Sequence, residues 1–304
     1  MKTASLTVNW GSPKDTVLAL KSLAAMNMRP DLMICMDNGS SREHVAELRL
    51  GMPEDTILIE LGENLGVAAA NNLGMEYALD REVEWTLFLN NDAIVDLDCL
   101  SRCLAEAISS ERIAVVGPAV TFADLPDVLW FAGGAVSDWF AFPRHRGLLR
   151  AAATLPPTSD TGYVSTCCAL VSSAAFRSAG PFRADYFMYY DDTEWCQRVR
   201  TAGWKCRYLG EVLCVHAVSA SSGHRGSLEI SENMAYYLAR NPLRFALETK
   251  GLVRRISRVV GLLTVYGAYN AGRTLRSRNL AIARAYIQGL ADAVRGQMGP
   301  RRIR

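Results

Sequence analysis

Trp85-Thr86-Leu87-Phe88-Leu89-Asn90-Asn91-Asp92 reads as a buried strand that stops abruptly on three polar residues. The same grammar recurs on either side of it. Upstream, residues 5–8, 32–36 and 56–61 read as strands. Residues 16–26, 43–50 and 65–79 read as helices between them; in the first, Val17, Leu18, Leu20, Leu23 and Ala24 fall on one face. Asp37-Asn38-Gly39-Ser40 is turn chemistry, with Ser40 or Ser41 able to cap the second helix. Downstream come a helix over 97–109 and a strand over 113–117. This alternation predicts an α/β fold with a doubly wound, mostly parallel sheet. Ligands of such sheets bind beyond the carboxyl ends of the strands. Asn9, Asp37-Asn38 and Asn90-Asn91-Asp92 stand there, three polar clusters on one edge.

The middle of the chain is less regular. Residues 123–157 mix Trp130, Gly133-Gly134, Trp139 and Pro143-Arg144-His145-Arg146-Gly147 without a period, which suggests long loops or short strands over a site. Residues 163–171 and 206–216 read as strands and 191–202 as a helix. The end of the chain reads as helices over 231–250, 252–269 and 280–295. With 304 residues, half of them hydrophobic, the chain can bury a sizeable core. A net charge of +2 gives no field that would mark a nucleic-acid partner. The eight cysteines form no zinc-type pairs and several lie in apolar runs, so reduced, buried thiols in a cytoplasmic protein are expected. No signal peptide and no membrane-spanning run is legible.

Four features have chemistry in reach, each beside a plainer alternative. Asp92 can bind a divalent cation that bridges to diphosphate oxygens, or it can cap a following helix. Asp191-Asp192-Thr193-Glu194 opens a helix, where carboxylates favour the dipole. Crowded against Tyr186-Phe187-Met188-Tyr189-Tyr190, one of them can equally be a general base. The small residues from Asn64 and Gly66 through Asn71 to Gly74 open a helix whose amides can approach phosphate, or they simply pack closely. His216 ends a strand as a metal or phosphate ligand or as a structural residue. His145 stands in reach of phosphate or acceptor, or in a solvated loop, and His224 has no assignment.

In this order, the pieces resemble family 2 glycosyltransferases, in particular their rhamnosyltransferase-like branch. The matching stretches are Val8-Asn9-Trp10, Asp37 through Ser41, Glu63-Asn64-Leu65-Gly66, Asn71-Asn72-Leu73-Gly74 and Leu89 through Asp92. Ala132-Gly133-Gly134, His145-Arg146-Gly147, Phe187 through Asp192 and Tyr237 through Asn241 follow. The resemblance implies a GT-A fold, a nucleotide-diphosphate sugar donor (dTDP- or UDP-linked), a divalent cation (Mg²⁺ or Mn²⁺) and inversion at the anomeric carbon. It places the donor against Val8, Asn9, Trp10, Asp37, Asn38, Asn64, Gly66, Asn71, Asn90 and Asn91, and the metal on Asp92 with His216 nearby. Asp192 becomes the base that activates an acceptor hydroxyl, supported by Asp191 and Glu194. Three positions depart from the family pattern. Asn90-Asn91-Asp92 carries one acid where two are common, Thr166-Cys167 replaces a common glycine, and Pro181-Phe182-Arg183 replaces glycine-phenylalanine-aspartate.

The expected organisation is a catalytic domain over 1–228, divided into a donor half (1–120) and an acceptor half (121–228), with a basic helical extension over 229–304. Arg254, Arg255, Arg258, Arg273, Arg276, Arg278, Arg284, Arg295 and Arg301 through Arg304 flank apolar helical faces there. Such helices either lie on an anionic membrane or pack on the catalytic domain. The expectation is a cytoplasmic protein, peripheral at the inner face of the plasma membrane, acting on a glycan, lipid-linked or small-molecule acceptor, with homo-oligomers allowed. The competing readings are a non-catalytic scaffold of the same fold and a nucleotidyltransferase. The latter calls for a glycine-rich basic loop that residues 9–13 lack.

Overall fold

The computed structural model describes residues 1–137, 139, 143–217, 231–268, 270, 272 and 279–302. His224, Arg273, Arg276, Arg278, Arg304 and the expected boundary at 228/229 lie outside the described residues.

Strands β1 (Thr3–Asn9), β2 (Leu32–Asp37), β3 (Thr56–Glu60) and β4 (Trp85–Leu89) form the parallel half of the main sheet, in the order β3-β2-β1-β4. Helices α1 (Pro13–Ala25), α2 (Arg42–Gly51) and α3 (Val67–Leu79) cross over between them. Pro13 opens α1, where its missing N–H costs nothing, and the Ser41 hydroxyl accepts the His44 amide to cap α2. Gly74 presses α3 onto β1; a Cβ there would sit 2.3 Å from Leu6.

The second half is mixed. After the short β5 (Ala93–Val95) and α4 (Cys99–Ala107) comes β6 (Ile113–Phe122), with β7 (Leu125–Phe131) antiparallel to it. β8 (Gly134–Val136) and β9 (Pro143–His145) make a separate hairpin, and β10 (Ser159–Asp160) edges the main sheet. β11 (Cys168–Ser172) lies antiparallel between β4 and β6. Helices α5 (Ser173–Ala179) and α6 (Asp191–Thr201) lead to β12 (Lys205–His216), which runs parallel to β6. The sequence reading began the middle strand at 163; the ladder begins only at Cys168, because residues 163–167 form the turn beside the site.

The main sheet continues without a break across position 120, and one core runs from Ala4 to Cys214. All eight cysteines are buried and unpaired. Beyond the sheet, α7 (Glu232–Leu247) and α9 (Leu280–Arg295) pack together, burying Ala235, Tyr236, Tyr237, Ile282 and Ala285 against Phe187, Met188 and Tyr189. Between them α8 (Leu252–Gly261) continues into a π-helical turn, Leu262–Tyr266, where a straight α-helix was expected through 269. Among the described residues no helix is long and apolar enough to cross a membrane.

Candidate active site

The carboxyl ends of β1 and β2 are in register, Asn9 beside Asp37, and a relay of side chains joins them. The Asn9 amide donates to Asp37 Oδ1 (2.7 Å) and to Ser40 Oγ (3.1 Å). Thr16 Oγ1 donates to Asn9 Oδ1 (2.6 Å), and Asn91 Nδ2 donates to Thr16 Oγ1 (3.3 Å). Asp37 Oδ2 accepts the Ser40 amide (3.0 Å). Asn38 Nδ2 donates to Asn64 Oδ1 (3.0 Å) and Asn38 Oδ1 accepts the Leu65 amide (2.9 Å). Three strand ends and two crossover starts are thus locked into one polar floor. Val8 is half-buried beneath it, Trp10 projects into solvent at its rim, and Asn90 is fixed to Cys167 by a backbone bond (2.9 Å). The sequence reading missed Thr16; a hydroxyl in the first turn after a polar strand end was its available signal.

Asp92 does not cap a helix. β5 follows it directly, and α4 begins only at Cys99. Its Oδ1 instead stands 3.0 Å from His216 Nε2, at the end of β12, with both side chains more than nine-tenths buried. Backbone pairing sets this meeting: His216 is in register with Ala93, and the Ala217 amide donates to the Asp92 carbonyl (2.9 Å). The Trp130 ring meets His216 edge-on at 4.5 Å and His145 at 4.6 Å. His145 is therefore no solvated loop residue. It sits among Trp130, Phe131 and Tyr163, and burial lowers its pKa to about 4.

Asp92 and His216 carry the carboxylate and imidazole donors that divalent cations accept, and their facing atoms are hydrogen-bonded to each other at 3.0 Å. His216 Nδ1 is buried with no hydrogen-bond partner. Among the described residues no third His, Cys, Asp or Glu completes a cage. A cation held by this pair would take diphosphate oxygens and water for the rest of its shell.

The carboxylates of α6 reach the same edge. Asp191 is buried, Asp192 half-buried, and Glu194 buried on the far side of the turn. Burial, then the neighbouring Asp192 charge, raises the Asp191 pKa to about 7. Burial also raises Asp192, against hydrogen bonds from the Thr193 amide (2.5 Å) and hydroxyl (3.1 Å) and from Thr166 and Ser165. Burial raises Glu194 too, opposed by Arg198, whose Nε lies 2.8 Å from it. Arg198 also binds the carbonyls of Ala179 and Pro181, so Glu194 anchors the α5–α6 connection. Asp192 is left as the accessible acid. Cys167 ties the two halves together: burial, then its bond with Cys214, dominates its raised pKa, but the charges of both Asp92 and Asp192 act on it.

The loop before α6 is strained and held. Phe187, Tyr189 and Tyr190 have φ of 68°, 62° and 74°, a region that costs L-residues about 1–2 kcal/mol each. Two buried residues of α7 grip its carbonyls. Asn241 Nδ2 donates to Tyr186 (3.1 Å), Met188 (2.8 Å) and Tyr189 (2.8 Å). Arg240 donates to Tyr186 (2.8 Å) and Gly299 (2.6 Å) and to Asn241 Oδ1 (2.8 Å). Arg183, one of the departures from the family pattern, is spent on Asp185 (2.6 Å) and Glu248.

The start of α3 gives its first amides to this loop and to Asn64. Gly66, at φ +88°, lies so close to Phe187 that a Cβ would be 2.5 Å from its carbonyl oxygen. The Gly66 amide is taken by Asn64 Oδ1 (2.9 Å) and the Val67 amide by the Phe187 carbonyl (2.8 Å). Asn71 is buried one turn before Gly74, on the side of α3 that faces the sheet. Asn72, given no role from sequence, bonds both the carbonyl (2.8 Å) and the amide (2.9 Å) of Phe182.

The model of the family "Glycosyl transferase family 2" matches residues 11–178. The chain is 25% identical over 194 residues to the dTDP-rhamnosyl transferase RfbF of Shigella flexneri, covering 62% of each chain. It is 27% identical over 224 residues to the N-acetylglucosaminyl-diphospho-decaprenol L-rhamnosyltransferase of Mycobacterium tuberculosis, covering 67% of this chain and 72% of that one. The match thus spans less than two thirds of RfbF. Among solved structures, S. aureus TarS 1-349 in complex with UDP-GlcNAc superposes with a TM-score of 0.60 at 15% identity, over 97% of this chain and 81% of that one. The mannosyltransferase PcManGT of Pyrobaculum calidifontis, in complex with GDP-Man and Mn²⁺, gives 0.56 at 13%, over 97% and 86%. At these identities the structural likeness establishes the fold alone, and that fold is GT-A.

Proposed function

Because the chain belongs to glycosyl transferase family 2, we propose that it transfers a sugar from a nucleotide-diphosphate donor to an acceptor hydroxyl with inversion, assisted by a divalent cation. The observation that carries this reading is that residues 165–167 meet both acidic segments: the Cys167 carbonyl accepts the amide of Asn90, two residues before the histidine-paired Asp92, and Ser165 and Thr166 bond the half-open Asp192. The names of the relatives favour rhamnose as the sugar, and the mycobacterial one favours a lipid-diphosphate-linked acceptor.

The chain's own residues divide the work. The floor of Asn9, Asp37, Asn38 and Asn64 orients the nucleoside, with Trp10 at the rim able to cover a base. Asn90 and Asn91, the latter bonded to Thr16 of the floor, lead from it to Asp92. Asp92 and His216 would hold the cation, which would neutralise charge on the departing diphosphate. Asp192 accepts the acceptor's hydroxyl proton. The acceptor oxygen bonds to the anomeric carbon as the bond to the diphosphate oxygen breaks, and the nucleoside diphosphate leaves. Asp191, carrying its own proton near neutrality, keeps a second charge away from Asp192. Positioning and charge stabilisation supply most of the acceleration.

The test is a panel of dTDP-, UDP- and GDP-sugars offered with Mn²⁺, Mg²⁺ or chelator, with the product's anomeric configuration read by NMR. Cation-dependent transfer with inversion is the expected result. Retention of configuration, or full activity in chelator, overturns the corresponding part. A scaffold would bind donor and turn over none of it.

A further inference from the structure

One face of the C-terminal extension is built the wrong way round for a soluble helix. In α8 and the turn after it, Leu252, Val253, Ile256, Val260 and Leu263 are 51–73% exposed. At 100° per residue they fall within one arc of about 100°. The opposite side is the buried one. There Arg258 donates to Thr249 Oγ1 (2.9 Å) and lies over the Phe245 ring, and Leu262 packs on Ala246. The helix therefore turns a basic residue inward and an aliphatic ridge outward. Trp139, 61% exposed, stands beside this ridge, its carbonyl accepting the Ser257 hydroxyl (2.5 Å).

Charge decides what covers the ridge. Between Glu248 and Asp292 the sequence has eight Lys or Arg and no Asp or Glu. Lys250, Arg254 and Arg255 are exposed at the near end of the ridge. A protein partner or a second copy of this basic segment meets a ring of like charge. An anionic lipid surface takes aliphatic side chains, an interfacial tryptophan and flanking cations together.

We infer that Leu252–Gly261 and the turn after it dock this protein on an anionic membrane surface, with the aliphatic ridge entering the headgroup layer. The docked helix lies directly behind the base. Arg258 stacks on Phe245, Phe245 lies 5.3 Å from the Tyr190 ring, and Tyr190 precedes Asp191. Docking there holds the half-open Asp192 close to the lipid surface. This deepens the proposed transfer to a lipid-linked acceptor and rests on that reading for its purpose, though not for the docking itself.

The test is co-sedimentation of the full chain with phosphatidylcholine vesicles, with and without phosphatidylglycerol, at low and high salt. The expected result is binding only to the anionic vesicles, weakened by salt. Ile256→Asp with Val260→Asp should weaken it about tenfold or more, and Lys250→Gln with Arg254→Gln should weaken it and flatten its salt dependence. Thermal stabilisation by nucleoside diphosphate with Mn²⁺, unchanged in both variants, shows that the catalytic domain is intact. No vesicle binding, or binding that both variants retain, overturns the inference. So does light scattering in which Ile256→Asp with Val260→Asp turns a dimer into a monomer, because the ridge is then a self-interface. Transfer to a soluble acceptor without vesicle binding sinks the docking and leaves glycosyl transfer standing. Vesicle binding by a chain that transfers no sugar does the reverse.

Discussion

At the residue scale the two adjacent acids of α6 differ in burial, and the proposed mechanism gives them different tasks. Asp192→Asn should keep donor affinity, read by calorimetry, and lose transfer by about a hundredfold or more. Near-normal turnover would remove Asp192 as the base. The base works deprotonated and burial raises its pKa, so the acid limb of kcat/KM should lie above the ordinary carboxylate range. Asp191 makes a stability prediction of definite sign. Its folded-state pKa, about 7, exceeds the ordinary aspartate value of 3.8, so between these the native state holds a proton that the unfolded chain has lost. The resulting stability is complete below pH 3.8 and declines as pH rises through 7. Asp191→Asn should therefore show a flatter fall in Tm between pH 5 and 8 than the parent, measured by thermal melts. Parallel curves would mean that Asp191 is not protonated in the fold. That one acid of this run could be a base was legible from its place after an aromatic run, and the family resemblance singled out Asp192. Which acid is buried and which half-open was not legible, because that depends on how the loop before α6 packs.

At the element scale, the strained carboxylate loop is held between α3 and α7. Asn241→Ala strips the Met188 and Tyr189 carbonyls of their donor and leaves Tyr186 to Arg240, at a cost of about 1–3 kcal/mol. It should lower kcat far more than it changes donor affinity, because the floor of Asn9, Asp37 and Asn38 is untouched. A loss confined to donor KM would contradict this. Gly66→Ala places a methyl group on the Phe187 backbone at a left-handed φ and should destabilise by several kcal/mol. The alternating strands and helices of the first half were readable because each obeys its own local period. The α7 clamp was not: Arg240-Asn241 looks like an ordinary polar pair until the chain folds back over fifty residues. His216 was named from its strand end, but only the antiparallel pairing of β5 with β12 brings it to Asp92. Helix start and phosphate cradle look alike in sequence, and at Gly66 the amides went to protein.

At the scale of the whole molecule, the proposed cation has Asp92 and His216 as its candidate protein ligands among the described residues, so cation and nucleotide should bind as a pair. Nucleoside diphosphate with Mn²⁺ should raise Tm by more than the sum of the two separate shifts, with about 2.7 kcal/mol of stabilisation at a hundred times Kd. In Asp92→Asn the excess over the sum should vanish. Additive shifts in the parent would remove Asp92 and His216 as a shared site. The doubly wound half and the helical extension were both foreseeable from periodicity. The antiparallel insertion of β11 was not, since a short apolar strand carries no mark of its direction.

The grip of Arg240 and Asn241 on the 185–189 carbonyls also sets an order of events during synthesis. A ribosome delivers the donor floor, Asp92 and both α6 acids before it delivers the α7 residues that hold the loop in its strained shape. Until then the loop that would present the proton acceptor is held from the α3 side alone, by the Val67 amide on the Phe187 carbonyl. Catalytic competence is a late acquisition, withheld until the C-terminal helices close over the finished sheet.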